Sequence, residues 1–64
     1  MEKILKNNAL VELLNYCKES GIDPSGTHIL KYPRKYMYSL IKDDGSTVAT
    51  VHYYKDRPAV YSHA

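Results

Sequence analysis

The sequence predicts an α+β fold in which one N-terminal helix packs on a three- or four-stranded antiparallel β-meander. Three observations lead to this fold class. Apolar residues recur at helical spacing in the N-terminal third of the chain. An Asp-Gly turn separates two runs of strand-forming residues that alternate in polarity. Short turns rich in Pro, Gly, Asp and Ser separate the other elements, which favours pairing of consecutive strands.

The helix is predicted over residues 2–20, beginning at Glu2. An apolar stripe indicates it; the stripe consists of Leu10, Leu13, Leu14 and Cys17, with Ala9 and Tyr16 at its edge. Gly21 stands where a left-handed residue is expected after a helix, and Pro24 prevents continuation. The start has an alternative, because an Asn near residue 8 would cap a helix that begins at about Asn8.

A hairpin over residues 35–54 organises the sheet, and its turn is the segment 43–46, Asp-Asp-Gly-Ser. We expect Asp44 and Gly45 to be the central residues of a type I′ turn, which needs positive φ at both. A four-residue loop gives the same register, whereas a three-residue loop would flip the faces of one strand. The predicted pairs are Lys42–Thr47, Ile41–Val48, Leu40–Ala49, Ser39–Thr50, Tyr38–Val51, Met37–His52 and Tyr36–Tyr53.

Alternation along the hairpin sorts its side chains onto two faces. The face expected to pack on the helix carries Tyr36, Tyr38, Leu40, Ala49, Val51 and Tyr53. The opposite face carries Met37, Ser39, Ile41, Val48, Thr50, His52 and Tyr54. Because one helix covers only one side of a sheet, the second face is expected to stand open, and it is half apolar.

Two short strands complete the predicted sheet. Residues 27–32 form the first, which ends at a Pro-Arg turn. Its register stays open, because Ile29 and Leu30 are both apolar. Residues 59–62 form the last strand, after a turn over residues 55–58, and it is expected at the edge of the sheet.

Length and composition limit the possibilities. A chain of 64 residues predicts one small domain, 1–64, with a marginal core. Cys17 is the only cysteine, so no disulfide can form within the chain, and a reducing, cytoplasmic setting is expected. The sequence has no apolar run long enough for a membrane span or a secretory signal.

The sequence offers little for catalysis. His28, His52 and His63 lack the spacing of a zinc site, so no metal or other cofactor is expected. Cys17 belongs to the apolar stripe of the helix, where a thiol is a small hydrophobe rather than a nucleophile. We therefore predict that the protein is not an enzyme.

One short motif keeps an enzymatic alternative open. A helix followed by Gly-Thr-His at a strand start, over residues 10–28, resembles the small HicA-type messenger RNA interferase toxins. That resemblance implies a double-stranded-RNA-binding-like fold and a role for His28 in RNA cleavage. The chain departs from the family in the additional residues 31–42 before the Asp-Gly turn and in lacking a closing helix. We make no family assignment from this motif, and an RNase-like toxin is the third functional hypothesis.

Nucleic-acid binding is the second hypothesis. Basic residues and a tyrosine flank two turns that a meander places at the same end of the sheet, where they could hold phosphates and stack bases. The candidate residues are Lys31, Tyr32, Arg34, Lys35, Lys55 and Arg57. The formal net charge of +2 is too small to indicate nucleic acid by itself.

Protein binding is the first hypothesis. An open apolar patch on a small protein is typical of an interface, so a protein partner or a homodimer is expected on the open face or the edge strand. The candidate residues are Met37, Ile41, Val48, Thr50, His52 and Tyr54. The small size and the lack of a catalytic constellation suggest a phage or mobile-element inhibitor or adaptor of a host factor.

Overall fold

A computed structural model describes residues 6–63, with side chains described over residues 8–63. The elements are α1 (Lys6–Ser20), β1 (Thr27–Lys31), β2 (Met37–Lys42), β3 (Thr47–His52) and β4 (Val60–His63). All neighbouring strands are antiparallel, and their order in the sheet is β1-β2-β3-β4. The predicted α+β class is confirmed: one helix packs on a four-stranded meander. Within the described residues, no helix is long and apolar enough to cross a membrane.

The predicted start and the predicted end of α1 have different outcomes. The predicted start at Glu2 lies outside the described residues, and Asn8 lies inside the helix rather than at its start. The C-terminal end is as predicted: Gly21 is left-handed, with φ of 72°. The amide of Ile22 donates to the carbonyl of Cys17 at 2.8 Å, which satisfies a carbonyl that the helix leaves unpaired.

The core forms where one row of the helix meets the two central strands. Fully or almost fully buried apolar residues make up this cluster: Ala9, Leu13, Cys17, Tyr38, Leu40, Ala49 and Val51. The helical members are four residues apart, so they form one narrow row. Leu14 was predicted on the stripe but is 39% exposed, because it lies about 100° around the helix from Leu13.

The hairpin turn differs from the prediction. The amide of Gly45 donates to the carbonyl of Lys42 at 2.9 Å, so Asp43 and Asp44 are the central residues. Only Gly45 in this turn has positive φ, at 88°. The predicted type I′ turn at Asp44-Gly45 is therefore wrong: the loop has three residues, and a left-handed glycine follows the two aspartates.

A second irregularity restores most of the predicted register. The three-residue loop pairs Ile41 with Thr47 rather than with Val48, and the register shifts between Leu40 and Ile41. Val48 is the extra residue of a β-bulge. From Leu40–Ala49 outward to Met37–His52 the predicted pairs are confirmed. The bulge places Val48 against the core, so its predicted position on the open face is corrected.

The outer strands take the places that the meander requires. In β1, Ile29 pairs with Leu40 and packs on the core, which settles the register that the sequence left open. Leu30 therefore faces away from the helix and is 39% exposed. In β4, Tyr61 pairs with Val51 and packs on the core side of the sheet.

Candidate protein-binding surface

The side of the sheet that lies opposite α1 is the candidate binding surface, and we call it the helix-free face. Pairing and alternation assign its strand residues. They are His28, Leu30, Met37, Ser39, Ile41, Thr47, Thr50, His52, Val60 and Ser62. None of these ten residues is Asp, Glu, Lys or Arg, so this surface of the sheet has no formal charge when its histidines are neutral.

Hydroxyl groups form the middle row of the helix-free face. Ser39 is fully buried, and its hydroxyl lies 2.8 Å from that of Thr50. The Ser39 hydroxyl also contacts the phenol oxygen of Tyr32 at 3.2 Å. Tyr32 follows β1, and its ring end therefore reaches onto the face next to Ser39. The strand pattern could not reveal this, because Tyr32 lies beyond the end of its strand.

Apolar side chains flank the hydroxyl row. Leu30 is 39% exposed and Val60, on the opposite edge strand, is 51% exposed. Met37 and Ile41, both predicted site residues, lie between them and are half-buried. The sequence missed Leu30 as a firm candidate and Val60 altogether, because the faces of the outer strands depend on registers that only the sheet fixes.

An aromatic stack stands at one end of this face. The rings of His52 and Tyr54 are 4.3 Å apart and nearly parallel. The guanidinium of Arg57 lies 4.2 Å from the centre of the Tyr54 ring, a cation–π distance. The structure thus brings together His52 and Tyr54, predicted for protein binding, with Arg57, predicted for nucleic acid. Thr50 lies in the hydroxyl row next to them.

The other predicted nucleic-acid residues lie at the same end of the sheet. The β1–β2 and β3–β4 connections meet there, as a meander requires. Lys31, Arg34, Lys35 and Lys55 are exposed, whereas Tyr32 is half-buried and contacts Ser39. The structure therefore places all of these residues at one end of the sheet.

The histidines are dispersed. His28 is exposed at the start of β1, next to Ile41 on β2. His52 lies on β3, and His63 lies on β4 on the helix side, where it contacts the Tyr16 hydroxyl. Over residues 6–63, no group of three or more His, Cys, Asp or Glu side chains could hold a metal ion. Cys17 is buried, and burial raises the pKa of its thiol, which disfavours the nucleophilic thiolate.

A polar network on the helix side went unnoticed in the sequence. The Glu12 carboxylate accepts hydrogen bonds from the hydroxyls of Tyr53 at 2.7 Å and Tyr61 at 2.9 Å. The Tyr16 and Tyr61 rings stack with centres 5.2 Å apart. These contacts tie α1 to β3 and β4, so the network is structural. The pattern could not predict it, because Glu12 lies outside the apolar stripe.

Comparison with known proteins gives no match: no protein family, no curated relative and no solved structure resembles the chain significantly.

Proposed function

We propose that this protein is a non-enzymatic binding module that holds a protein partner on its helix-free face. The observation that carries the proposal is the uncharged surface of the sheet described above. An antiparallel sheet can leave one face in water, but such a face normally alternates to polar residues. Here the polar positions are hydroxyls and histidines, and the hydroxyls of Ser39 and Thr50 contact each other within the protein.

The apolar residues of the face add to this argument. Leu30 and Val60 remain substantially exposed, and Met37 and Ile41 lie between them. Burying one side chain of this kind stabilises a complex by up to ~1.5–3 kcal/mol. Leu30 is the diagonal neighbour of Met37 and Ile41, and apolar surface of this kind on a small protein is typical of an interaction site. The proposed origin as a phage or mobile-element inhibitor or adaptor stays a prediction from chain size alone.

Two matched double variants test the proposal. Leu30→Lys with Val60→Lys charges the helix-free face at side chains that are 39% and 51% exposed. Leu14→Lys with Val11→Lys makes the same chemical change on the helix, at side chains that are 39% and 56% exposed. Circular dichroism and urea unfolding should show both variants folded.

Partners are then captured from a lysate with the immobilised parent and both variants, and self-association is followed by sedimentation. We expect the helix variant to keep every association that the parent shows and the sheet variant to lose them. If the sheet variant retains all associations of the parent, the helix-free face is not the binding surface.

Nucleic acid is the second candidate, supported by the stacked Arg57 and Tyr54 beside the basic connections. If nucleic acid is the ligand, Arg34→Ala with Arg57→Ala should weaken binding to all oligonucleotide sequences and reduce the slope of log affinity against log salt by about 2. The measurement is a salt series with single- and double-stranded oligonucleotides. We expect the parent not to bind them at physiological salt; tight, salt-sensitive binding would put nucleic acid first.

A further inference from the structure

The two ends of the sheet differ in charge, although alternation turns Lys31 and Lys42 toward the helix side. At the end where β1 meets β2 and β3 meets β4, five cationic residues stand with one carboxylate. They are Lys31, Arg34, Lys35, Lys55 and Arg57, with Asp56. At the other end, three carboxylates stand with one cation: Asp23, Asp43 and Asp44, with Lys42. The uncharged surface lies between these two ends.

Hydrogen bonds favour the ionised form of two carboxylates at the acidic end. The hydroxyl and amide of Ser46 donate to Asp44, and those of Ser25 donate to Asp23. These hydrogen bonds, with a smaller contribution from Lys42, hold the pKa of both carboxyls below its usual range. Both groups are exposed, so they place negative charge at this end of the sheet.

We infer that the occupant of the helix-free face is a second copy of this chain, related by a two-fold axis that brings opposite ends of the two sheets together. This inference rests on the proposed function and names its partner. A two-fold axis in the interface plane and perpendicular to the strands places the basic end of each protomer over the acidic end of the other. An axis parallel to the strands would oppose like charges, which disfavours that arrangement.

The size of the face sets the strength of the association. Four strands spaced ~4.8 Å apart and about six residues long span on the order of 20 Å by 20 Å. Two such faces bury an area at the low end of specific interfaces, where complexes are transient. We therefore expect a weak dimer that forms with rising protein concentration and weakens as salt screens its charged ends.

Two complementary charge variants test the arrangement. The basic variant, Asp43→Lys with Asp44→Asn, makes both ends of the protomer positive, and the asparagine side chain can still accept the turn hydrogen bonds. The acidic variant combines Arg34→Glu, Lys35→Glu and Lys55→Glu, which makes both ends negative. Each variant alone would therefore oppose like charges in the proposed dimer.

Sedimentation over a wide concentration range gives the dimer dissociation constant for each protein. We expect the constant to rise at least about tenfold for either charge variant alone. Glu19→Lys and Lys18→Glu change charge on the exposed last turn of α1, so these controls should stay near the parental value. An equimolar mixture of the two charge variants should recover association, because a heterodimer has opposite charges at both ends.

The inference is overturned if the parent is a monomer at every concentration, or if the mixture associates no better than the separate variants. The lysine variant of Leu30 and Val60 separates this failure from failure of the proposed function. A monomeric parent whose captured partners are lost in that variant would retain the binding face and exclude only the second copy. A parent that dimerises equally well with Leu30→Lys and Val60→Lys would exclude the face itself.

Discussion

The two faces of one sheet are built by different interactions. On the helix side, Leu40, Ala49 and Val51 are fully buried against Ala9, Leu13 and Cys17 of α1. On the helix-free face the one fully buried residue among the described strands is Ser39. Its hydroxyl contacts those of Tyr32 and Thr50. The contrast places the apolar core on the helix side of the sheet.

The largest expected effect is the difference in stability between the same Leu→Ala substitution made on each face of the sheet. Leu40→Ala removes a fully buried side chain and should cost about 2–5 kcal/mol of the free energy of unfolding. Leu30→Ala makes the same change on a partly exposed side chain and should cost well under half as much. Urea unfolding of both variants gives the difference. Equal losses would mean that the helix-free face contributes to the core as much as the helix side does.

The loss at Leu40 approaches the whole stability of a chain this short, roughly 3–10 kcal/mol on a per-residue scale. Leu40→Val serves as a milder variant if Leu40→Ala does not fold. The free energy of unfolding that Leu40→Val loses should still exceed the loss caused by Leu30→Ala.

A smaller effect is expected at the turn, which decides on which face Val48 lies. Gly45→Val places a β-branched residue at φ of 88° and should cost about 1–3 kcal/mol, with no steric contact within 4 Å to add to it. Gly45→Asn should cost less, because asparagine tolerates the left-handed region. Thermal unfolding of both variants checks this order, and a valine variant that melts like the parent would contradict the turn.

Removing the Ser39 hydroxyl from the middle row should lower the free energy of unfolding by about 1 kcal/mol. Ser39→Ala removes the partner of Thr50 and Tyr32, and a lost hydrogen bond of this kind typically costs ~0.5–1.5 kcal/mol. Ser62→Ala, at an exposed position of the same row, is the control and should be near neutral. If both variants unfold at the same urea concentration as the parent, the hydroxyl row adds no stability.

The smallest expected effect is a pH dependence of stability, and it comes from two tyrosines on the helix side of the sheet. Burial, followed by the hydrogen bond to Glu12, raises the pKa of Tyr61 from 10 to about 12. The same causes raise the pKa of Tyr53 still further. The folded state therefore holds these protons more tightly than the unfolded chain. Their contribution to stability is complete below pH 10 and is lost as pH rises from 10 through about 12.

Urea unfolding at a series of alkaline pH values measures this loss. Tyr61→Phe should flatten the decline, because the phenol that titrates is gone. Tyr36→Phe, at a tyrosine that is 53% exposed, should leave the decline unchanged. An equal slope for the parent and Tyr61→Phe would contradict the role of Glu12 in holding this proton.

The sequence by itself determined the helix, its glycine end and an antiparallel meander of three or four strands in chain order. These features depend on neighbouring residues: helical spacing from Leu13 to Cys17, the left-handed Gly21, and turns short enough to pair consecutive strands. The pairing of the central strands was also predicted from Leu40–Ala49 outward, because alternation ties register to the choice of buried face.

The tertiary structure decided what local patterns leave open. The loop of three residues and the bulge at Val48 cancel each other in register, so the sequence gives no sign of either. Which of Ile29 and Leu30 is buried depends on pairing with β2. The charged ends of the sheet combine residues far apart in sequence, such as Asp23 with Asp44 and Arg34 with Arg57. They lie at the same end only because the meander aligns its connections at two ends, and that alignment is a property of the folded sheet.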